Sequence, residues 1–591
     1  MLPFYLLLPL AAAVIIIALL KNRRYPGIVA LLGSLLSLAM LPFISYGTES
    51  IPWFTAGSFS FDITTLISPI SYMLIAVILF ISPLVFSYAT WYMDKPSEQR
   101  RFYIEMLAFE AAMLAFAFSG SFITFLIAWE FLSLTSYLLI GFWNTEKGPI
   151  VASRKALTMV LIGDLAILGA IGILGSTFGT LDFIPILNGL SSAPQGAVFV
   201  SAVLLMIAAF TKSAQFPFHE WLIDAMEGPT PVSAYLHSTT MVKAGVFSIL
   251  ILLPLFQYTG LTYVILVIAS ITAILATLNA VREFHIKKII AYSTIQELSL
   301  MMIAIAAGAV TAGIYFFFVQ SFYKALLFFS SGSVMKATGE EDIRKANGLR
   351  SSKLLLYSTL FGVLSLAGFI PFSGFFSSIG ISSSLTSNLP IYALLSAISI
   401  GTSFYILRWF SYISAPTNDA DARIRYKTQP KRMKLPIAML AIATLAVSLL
   451  FTRFQSLVTS SSYYAYASSG IAMNFDLVDA ASFTVLIGIA AVFVYLIYVK
   501  KRAKQISKYS RLGYTSPMMN SFYANFAYFM IGISEGVAAF DEALSDFFDG
   551  AGRFTVRSGY IVRRASAGQI NYYAAIFVVA LVLLAAYAYL V

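Results

Sequence analysis

About 16 apolar stretches, each of roughly 18 residues or more, follow one another along the chain. A stretch of this length can cross a bilayer as a helix, so a chain with this many predicts an all-α polytopic membrane protein. The composition agrees, since 59% of the residues are hydrophobic and 11% are charged. The predicted spans lie near 2–20, 27–46, 64–92, 103–119, 121–142, 152–175, 197–226, 231–255, 260–281, 287–308, 312–335, 352–387, 390–413, 434–452, 481–499 and 569–590.

Some of the predicted segments are not single membrane-spanning helices of ordinary length. The third, seventh and twelfth spans exceed one bilayer crossing, so we expect them to be tilted, broken or projecting. The segment "GTESIPWFTAGSFSFDI" alternates in polarity and predicts a β-hairpin after the second span. The first span lacks a basic leader and reaches spanning length, which predicts a retained helix.

The basic residues indicate an orientation. They cluster in connections after odd-numbered spans, such as "KNRR", "REFHIKK" and "RIRYKTQPKRMK". By the positive-inside rule these connections are cytoplasmic and the N-terminus is outside, although the odd connection "IDAMEGPTP" carries no basic residue. We expect an integral protein of a prokaryotic plasma membrane or an equivalent energy-converting membrane.

Ionisable residues within the predicted spans are the strongest indication of function. A charge at the bilayer centre costs about 3 kcal/mol even on a lenient scale. A single buried pair can serve only to hold two helices together, but a set spread over several helices favours a path for a proton or another ion. The set is Glu130, Asp164, Lys212, His237, Lys243, Glu297 and Lys324.

Proline and glycine predict breaks in two of the spans. Pro217 follows Lys212 in the seventh span, and the twelfth contains Gly368, Pro371 and Gly374. A break exposes backbone that water can hydrate, although a packing kink is the alternative explanation. Because the breaks lie five helices apart, we predict two inverted five-helix repeats, formed by spans four to eight and nine to thirteen.

The chain shows no energy source of its own. It has no cysteine, three histidines and no nucleotide-binding P-loop sequence, so we expect neither a metal centre nor a bound cofactor. Nothing in the chain predicts binding to nucleic acid. Ion gradients or partner proteins must then supply the energy for transport.

The C-terminal part differs in composition. Ser516 and Pro517 predict a helix start, and the half-polar stretch that follows predicts a lateral amphipathic helix along the membrane or along neighbouring proteins. The expected organisation is an N-terminal region with the hairpin (1–100), two repeats (101–255 and 260–413), two helices (434–500), a lateral helix (516–564) and an anchor helix (569–591).

Four segments carry a resemblance to a known family. "TKSAQFPFHEWLIDAMEGPTPVSAYLHSTTMVKAGVF", "WEFLSLTSYLLIGFW", "HIKKIIAYSTIQELSLM" and "FYKALLFFSSGSVMKATG" resemble the antiporter-like subunits of complex I and of Mrp-type cation/proton antiporters. The C-terminal stretch is similar to the lateral and anchor helices of the L-type (chain 5) subunit. The resemblance covers most of residues 60–410. It implies proton translocation driven by redox chemistry on partner subunits, which hold quinone, Fe–S clusters and flavin or similar groups.

The resemblance also implies roles for individual residues. Glu130 matches the glutamate of the family's fifth helix, and Lys212 matches the lysine beside the break in the seventh. Asp164, His237 and Lys324 match the family's residues in the sixth, eighth and eleventh helices.

Several positions depart from the family pattern. Ser378 stands where the family usually has a lysine in the twelfth helix. Leu161 replaces an expected arginine, and Phe316 and Gln320 replace histidines often found before the central lysine. Lys243, in "MVKAGV", is similar to the Mrp version. The first half of the path is therefore expected to be intact, and the exit half is open to question.

Three functions remain open at this point. The favoured one is a proton-translocating, non-redox L-type subunit of a complex I-like quinone oxidoreductase. The second is the large subunit of a gradient-driven Na⁺/H⁺ antiporter, which Lys243 favours and the end of the chain after the sixteenth span disfavours. The third is a non-pumping structural subunit, which Ser378 favours. The expected partners are lipid and other membrane subunits, above all the antiporter-like neighbours along the lateral helix.

Overall fold

The computed structural model describes residues 3–20, 25–56, 59–93, 96–386, 388–451, 454 and 477–495, together with isolated positions between 539 and 553. Within these residues, ten helices are long and apolar enough to cross a membrane, and two shorter apolar helices accompany them. The predicted helical membrane fold is confirmed to this extent. The lateral helix predicted at 516–564 lies almost wholly outside the described residues, and the anchor helix at 569–591 lies entirely outside them.

The helices up to residue 258 follow most of the predicted spans. The seventh span forms α8 and the short α9, and Pro217 lies in the turn between them, so the predicted break is confirmed. The helices are α1 (Leu8–Leu19, after a 3-10 turn at Pro3–Leu7), α2 (Pro26–Ala39), α3 (Pro69–Tyr92), α4 (Pro96–Ala117), α5 (Phe122–Ile140), α6 (Lys147–Phe178), α7 (Phe183–Asn188), α8 (Gln195–Lys212), α9 (Glu220–Asp224), α10 (Thr230–Ser238), α11 (Lys243–Ile251) and α12 (Leu253–Tyr258).

The eighth predicted span is interrupted, so the prediction of one continuous helix is wrong. Helix α10 ends at Ser238 and α11 begins at Lys243. The Ser238 hydroxyl donates to the Ala234 carbonyl, and the Thr240 hydroxyl donates to the Tyr235 carbonyl at 2.7 Å. Such hydroxyls offer the backbone an alternative to regular helical bonding, which apolar length alone does not reveal.

The second half also contains the predicted break. Helices α16 and α17 are separated by residues 368–372, which include Gly368 and Pro371. Gly374 lies in the first turn of α17. The helices are α13 (Thr262–Arg282), α14 (Ile286–Ala306), α15 (Val310–Thr338), α16 (Lys353–Ala367), α17 (Ser373–Ser384), α18 (Leu389–Ile413), α19 (Ala420–Thr428), α20 (Lys431–Ala446) and α21 (Leu477–Val494).

The predicted hairpin is present. Strands β1 (Gly47–Ala56) and β2 (Phe59–Ile67) pair antiparallel, with Gly47 opposite Ile67. The rings of Phe54 and Phe61 stack across the pair at 4.4 Å. The backbone of Leu66 donates to the Phe118 carbonyl at 2.9 Å, so the hairpin is fastened to the end of α4.

Helices α14 and α15 form the interior of the bundle. In their most apolar windows, 89% and 94% of the residues are buried inside the protein, against 44% for α6. Leu165 on α6 and Tyr263 on α13 are largely exposed, as expected for a surface that faces lipid. Ionisable residues on α14 and α15 are therefore surrounded by protein.

A polar clamp fixes the loop before α14 to the loop after α15. The backbone of Ile286 donates to the Glu341 carbonyl at 2.8 Å, and His285 Nε2 lies 3.3 Å from Glu341 Oε2. The hydrogen bond from His285 holds the pKa of the Glu341 carboxyl below its ordinary value. The carboxylate is therefore charged at neutral pH, and the two interior helices are tied together at this end.

The close packing at the break in the twelfth span generates a prediction about stability. A Cβ added to Gly374 would lie 1.7 Å from the Ser365 carbonyl oxygen. We expect Gly374→Ala to lower the Tm of the purified protein, because overpacking typically costs about 1–3 kcal/mol. Thermal unfolding in detergent measures the change.

The matched control is Gly172→Ala in helix α6, where an added Cβ would meet no atom within 4 Å. It should leave the Tm unchanged or slightly raised, because alanine favours a helix over glycine. Equal Tm values for the two variants would show that the backbone at Gly374 yields without cost.

Candidate functional site

Lys212, the last residue of α8, is fully buried against helix α5. Its Nζ donates to the Ser133 hydroxyl and to the Trp129 carbonyl, the latter at 3.3 Å. The same ammonium lies 4.6 Å from the centre of the Trp129 ring, a cation–π arrangement. Neutral groups thus provide all of its direct contacts among the described residues.

Two carboxylates belong to the same cluster without touching Lys212. Asp164 on α6 accepts a hydrogen bond from Trp129 Nε1 at 2.6 Å, so one tryptophan contacts both the acid and the lysine. The other oxygen of Asp164 has no hydrogen-bond partner within the described part of the chain. Glu130 is partly buried, and its charge and that of Asp164 both act on Lys212. The structure brings the three residues together, but no direct Glu130–Lys212 ion pair forms among the described residues.

The break after Lys212 is closed by side chains. Pro217 has no backbone N–H and cannot donate a helical hydrogen bond to the Ser213 carbonyl. This carbonyl instead accepts a hydrogen bond from Gln215 Nε2 at 2.9 Å. The Ser213 hydroxyl donates to the Val242 carbonyl at 2.6 Å, next to Lys243. A Cβ on Gly245 would lie 2.1 Å from the Ala209 carbonyl oxygen, so only glycine permits this crossing.

Lys243, the first residue of α11, has the same kind of environment as Lys212. Its Nζ donates to the Phe317 carbonyl and to the Ser321 hydroxyl, and it lies 4.8 Å from the centre of the Phe317 ring. In both cases one helix supplies an aromatic residue and a serine four positions later. We call this arrangement, formed by Trp129 with Ser133 and by Phe317 with Ser321, the aromatic–serine cradle.

Lys324 differs, because it has a carboxylate in direct contact. Its Nζ lies 2.9 Å from Glu297 Oε2 in a fully buried ion pair and donates to the Ser293 hydroxyl at 2.5 Å. Glu297 also accepts from the Tyr323 hydroxyl at 2.9 Å and from Gln320 Nε2 at 3.2 Å. Lys324 and Glu297 therefore each have the opposite charge and further hydrogen bonds, which buried charges require.

A small polar cavity joins this ion pair to the break in the twelfth span. Its volume is about 20 Å³, enough for one water molecule. Glu297, Tyr323, Gly374 and Ser378 are among the residues that line it. Ser378 and Glu297 thus line the same cavity, which has room for about one water molecule.

A hydrogen bond links the two halves of the site. The Ser299 hydroxyl on α14 donates to Gln215 Oε1 at 2.9 Å, and Gln215 in turn holds the Ser213 carbonyl. Ser299 lies on the same helix as Glu297. The break beside Lys212 is therefore connected to the helix that carries the second cluster.

His237 lies between the rings of Trp221 and Phe328, at centroid distances of 6.3 and 6.2 Å. It is fully buried, and neither ring nitrogen has a hydrogen-bond partner within the described residues. Its two nitrogens remain available to a proton or to water.

Sequence reasoning missed Lys287, because this residue stands in a basic connection that predicts a solvated loop. It is buried, and its Nζ donates to the Met226 carbonyl and, at 2.9 Å, to the Gly228 carbonyl. It thereby fixes the start of the "GPTP" segment. The position of "IKK" at the very start of an apolar helix is the feature that could have identified it.

The departures from the family pattern have distinct positions. Leu161 is 44% exposed on α6, so it takes no part in these clusters. Gln320 holds Glu297, and Phe316 lines the small cavity. The serines Ser133, Ser293 and Ser321, which contact the three lysines, were not predicted from the sequence.

Two family profiles match the chain. One, described as "NADH:quinone oxidoreductase/Mrp antiporter, TM", matches residues 119–404. The other, described as "NADH-Ubiquinone oxidoreductase (complex I), chain 5 N-terminus", matches residues 53–103. The matched regions include strand β2, the end of strand β1 and every residue of the clusters above.

Individual relatives agree with the profiles. The chain is 31% identical to NADH-quinone oxidoreductase subunit L of Campylobacter jejuni, over 86% of this chain and 85% of the relative. It is 35% identical to the NAD(P)H-quinone oxidoreductase subunit 5 of the Paulinella chromatophora chromatophore, over 61% and 56% of the two chains. It is also 36% identical to Na⁺/H⁺ antiporter subunit A1 of Staphylococcus saprophyticus, over 50% and 39%. The chain thus spans only about half of the length of some relatives.

A solved structure shows the same fold. The structure of the Mrp complex from Dietzia sp. contains a chain that superposes with a TM-score of 0.77 at 22% identity. The superposition covers 99% of this chain and 63% of the other.

The Lys324–Glu297 pair generates a prediction about stability. Lys324→Met leaves a buried carboxylate without its counter-ion, and breaking such a pair typically costs about 3–5 kcal/mol. The double variant Lys324→Met, Glu297→Gln removes both charges and should recover most of the Tm. Thermal unfolding measures both, with the exposed Lys353→Met as the control. A double variant no more stable than the single one would contradict this account.

Proposed function

Because the chain belongs to the family of antiporter-like membrane subunits shared by complex I and Mrp antiporters, we propose that it translocates protons as a subunit of a complex I-like oxidoreductase. The observation that carries the proposal is the set of three buried lysines, Lys212, Lys243 and Lys324. Lys212 and Lys243 have hydrogen-bond acceptors, but no carboxylate contacts either of them among the described residues. The proton on such a lysine responds to charges that approach or leave it, which a transport step requires.

We propose a path in two halves. Glu130, Asp164 and Lys212 form the first half, with His237 as a further proton acceptor. Ser213 and Gln215 connect this half to Lys243 and to α14, and the Lys324–Glu297 pair forms the centre of the second half. The exit passes the small cavity at Ser378 and the break at Pro371. This division corresponds to the two inverted five-helix repeats predicted from the sequence.

The remaining parts of the proposal concern the assembly. Redox chemistry takes place on partner subunits that hold quinone, Fe–S clusters and flavin or similar groups. The segment 516–564 lies along neighbouring antiporter-like subunits, and the residues from 569 anchor it. The N-terminus is outside, and the membrane is a prokaryotic plasma membrane or an equivalent energy-converting membrane. The family membership and the basic connections of the sequence support these statements.

A second candidate function is the large subunit of a gradient-driven Na⁺/H⁺ antiporter. It is favoured by Lys243 in its aromatic–serine cradle and by the 36% identity to the staphylococcal antiporter subunit. Purification of the native complex separates the two. Fe–S subunits that copurify support the oxidoreductase, and small membrane subunits alone support the antiporter. If the complete complex moves no protons through this chain, the result supports the third function, a non-pumping structural subunit.

The first functional prediction concerns the lysine beside the break. We expect Lys212→Arg to reduce the proton-to-electron ratio of the native complex in membrane vesicles, because arginine does not release its proton in a usable pH range. Glu130→Ala and Lys212→Ala should abolish the contribution of this subunit. The exposed Lys353→Arg is the control. Normal ratios in the Lys212 and Glu130 variants would refute their role.

The second functional prediction concerns the exit. A serine hydroxyl can relay a proton through hydrogen bonds but cannot hold a charge at neutral pH. Ser378→Leu should block proton uptake by the reconstituted complex, because leucine fills the cavity that admits water beside Glu297. Ser378→Lys should be tolerated. Unchanged uptake in Ser378→Leu would show that the second half carries no protons and would favour a structural role.

A further inference from the structure

Glu110 on helix α4 is a buried carboxyl group that the proposed path does not use. Its side chain is fully enclosed, and Oε1 accepts a hydrogen bond from the Ser34 hydroxyl on α2 at 2.8 Å. Oε2 has no hydrogen-bond partner within the described residues. No lysine, arginine or histidine of the described chain forms an ion pair with it.

The groups that face Glu110 are hydroxyls. Besides Ser34, these are Ser82 on α3 and Tyr235 on α10, whose hydroxyls lie 2.5 Å apart. Ser82 donates its hydrogen to the Ile78 carbonyl at 2.7 Å, so Tyr235 must be the donor to Ser82. Through Tyr235, this group of hydroxyls extends to α10, where His237 stands two residues after Tyr235.

Among the described residues, the other helices packed on α4 supply no positive charge to Glu110, although the charge of Arg432 on α20 acts on Tyr103. The buried residues of α1 are Pro9, Leu10, Ala13 and Ile17, all without ionisable groups. Helix α5 carries Glu130, which is itself an acid. Burying a bare carboxylate among neutral groups is very costly, so Glu110 is held as the neutral acid. Its free oxygen then requires a partner that the described residues do not provide, and a water molecule would supply one.

Tyr103 lies on the same face of α4, seven residues before Glu110. Seven residues are almost two helical turns, so the two groups are about 10 Å apart along the helix. The Tyr103 hydroxyl is buried beside Gly27 of α2 and also lacks a hydrogen-bond partner among the described residues. Gly27 and Ser34 have the same spacing on α2. Two unpartnered polar atoms in one seam between these helices indicate that water occupies it.

We propose that Glu110 is a proton-binding residue on a second inlet, which runs along the seam of α2, α3 and α4 from Tyr103 and meets the core of the first half at Tyr235. The inlet opens toward the N-terminal end of α4, on the side predicted to be cytoplasmic. The inference rests on the proposed function, since it supplies protons to the same path.

The step is a simple proton transfer. The O–H bond at Glu110 Oε2 breaks and the proton passes to a water molecule, which carries it toward α10. A proton that enters past Tyr103 then restores the acid. Ser34, Ser82 and Tyr235 orient the carboxyl group and undergo no net change.

The test uses the intact complex and two independent measurements. Infrared difference spectra of wild type against Glu110→Gln should show the loss of one carboxylic-acid C=O band that shifts in D₂O. Glu110→Gln should also reduce proton transport through this subunit by about a hundredfold, the lower end of the range typical for the loss of a positioned acid. Glu146→Gln, at an exposed glutamate just before α6, is the matched control and should change neither quantity.

Tyr103→Phe removes only the hydroxyl at the start of the inlet. It should reduce transport several-fold and leave the carboxylic-acid band in place, which a purely structural role for Glu110 does not predict. A spectrum in which Glu110→Gln removes no band would overturn the neutral acid. Normal transport in Glu110→Gln would overturn the inlet. If wild type itself moves no protons, the proposed function fails, and a band lost in Glu110→Gln would still establish the neutral acid.

Discussion

An ammonium group inside a membrane must find acceptors within the protein, and this requirement organises the core of the molecule. Lys212 and Lys243 satisfy it with an aromatic–serine cradle, in which one helix offers a carbonyl, a hydroxyl and the face of a ring. Lys324 satisfies it with Glu297 instead. The cradle holds a positive charge without fixing a negative one beside it, and the pair holds both. The site therefore contains two kinds of lysine, one with neutral acceptors and one with a carboxylate in direct contact.

Two of the three buried lysines stand at helix ends that the interruptions create. Lys212 stands at the C-terminal end of α8, where the free carbonyls and the helix dipole favour a cation. Lys243 begins α11 after the Ser/Thr-rich interruption, where the dipole is unfavourable, and it takes a carbonyl from α15 instead. Lys324 lies in the middle of an unbroken helix and needs a carboxylate. The position of each lysine within its helix thus accounts for the partner that it has.

Much of this arrangement could be predicted from local sequence, and the rest depends on contacts between distant helices. Alternating polarity predicts the hairpin, and Pro217 predicts the break beside Lys212, because both are effects of neighbouring residues. The interruption before Lys243 was missed, since serine and threonine compete with the backbone only in some contexts. The pairing of Lys324 with Glu297 and the cradle serines were also missed, because apolar periodicity does not say which faces of two helices meet.

The close crossings at Gly245 and Gly374 constrain how a chain of this kind can change by descent. The neutral Ser378 stands beside the break in the twelfth span, and the two helices of that break are both formed. The glycines are different, because a single methyl group at either position would force two segments of backbone apart. The chemistry of the path can therefore drift while its shape is inherited.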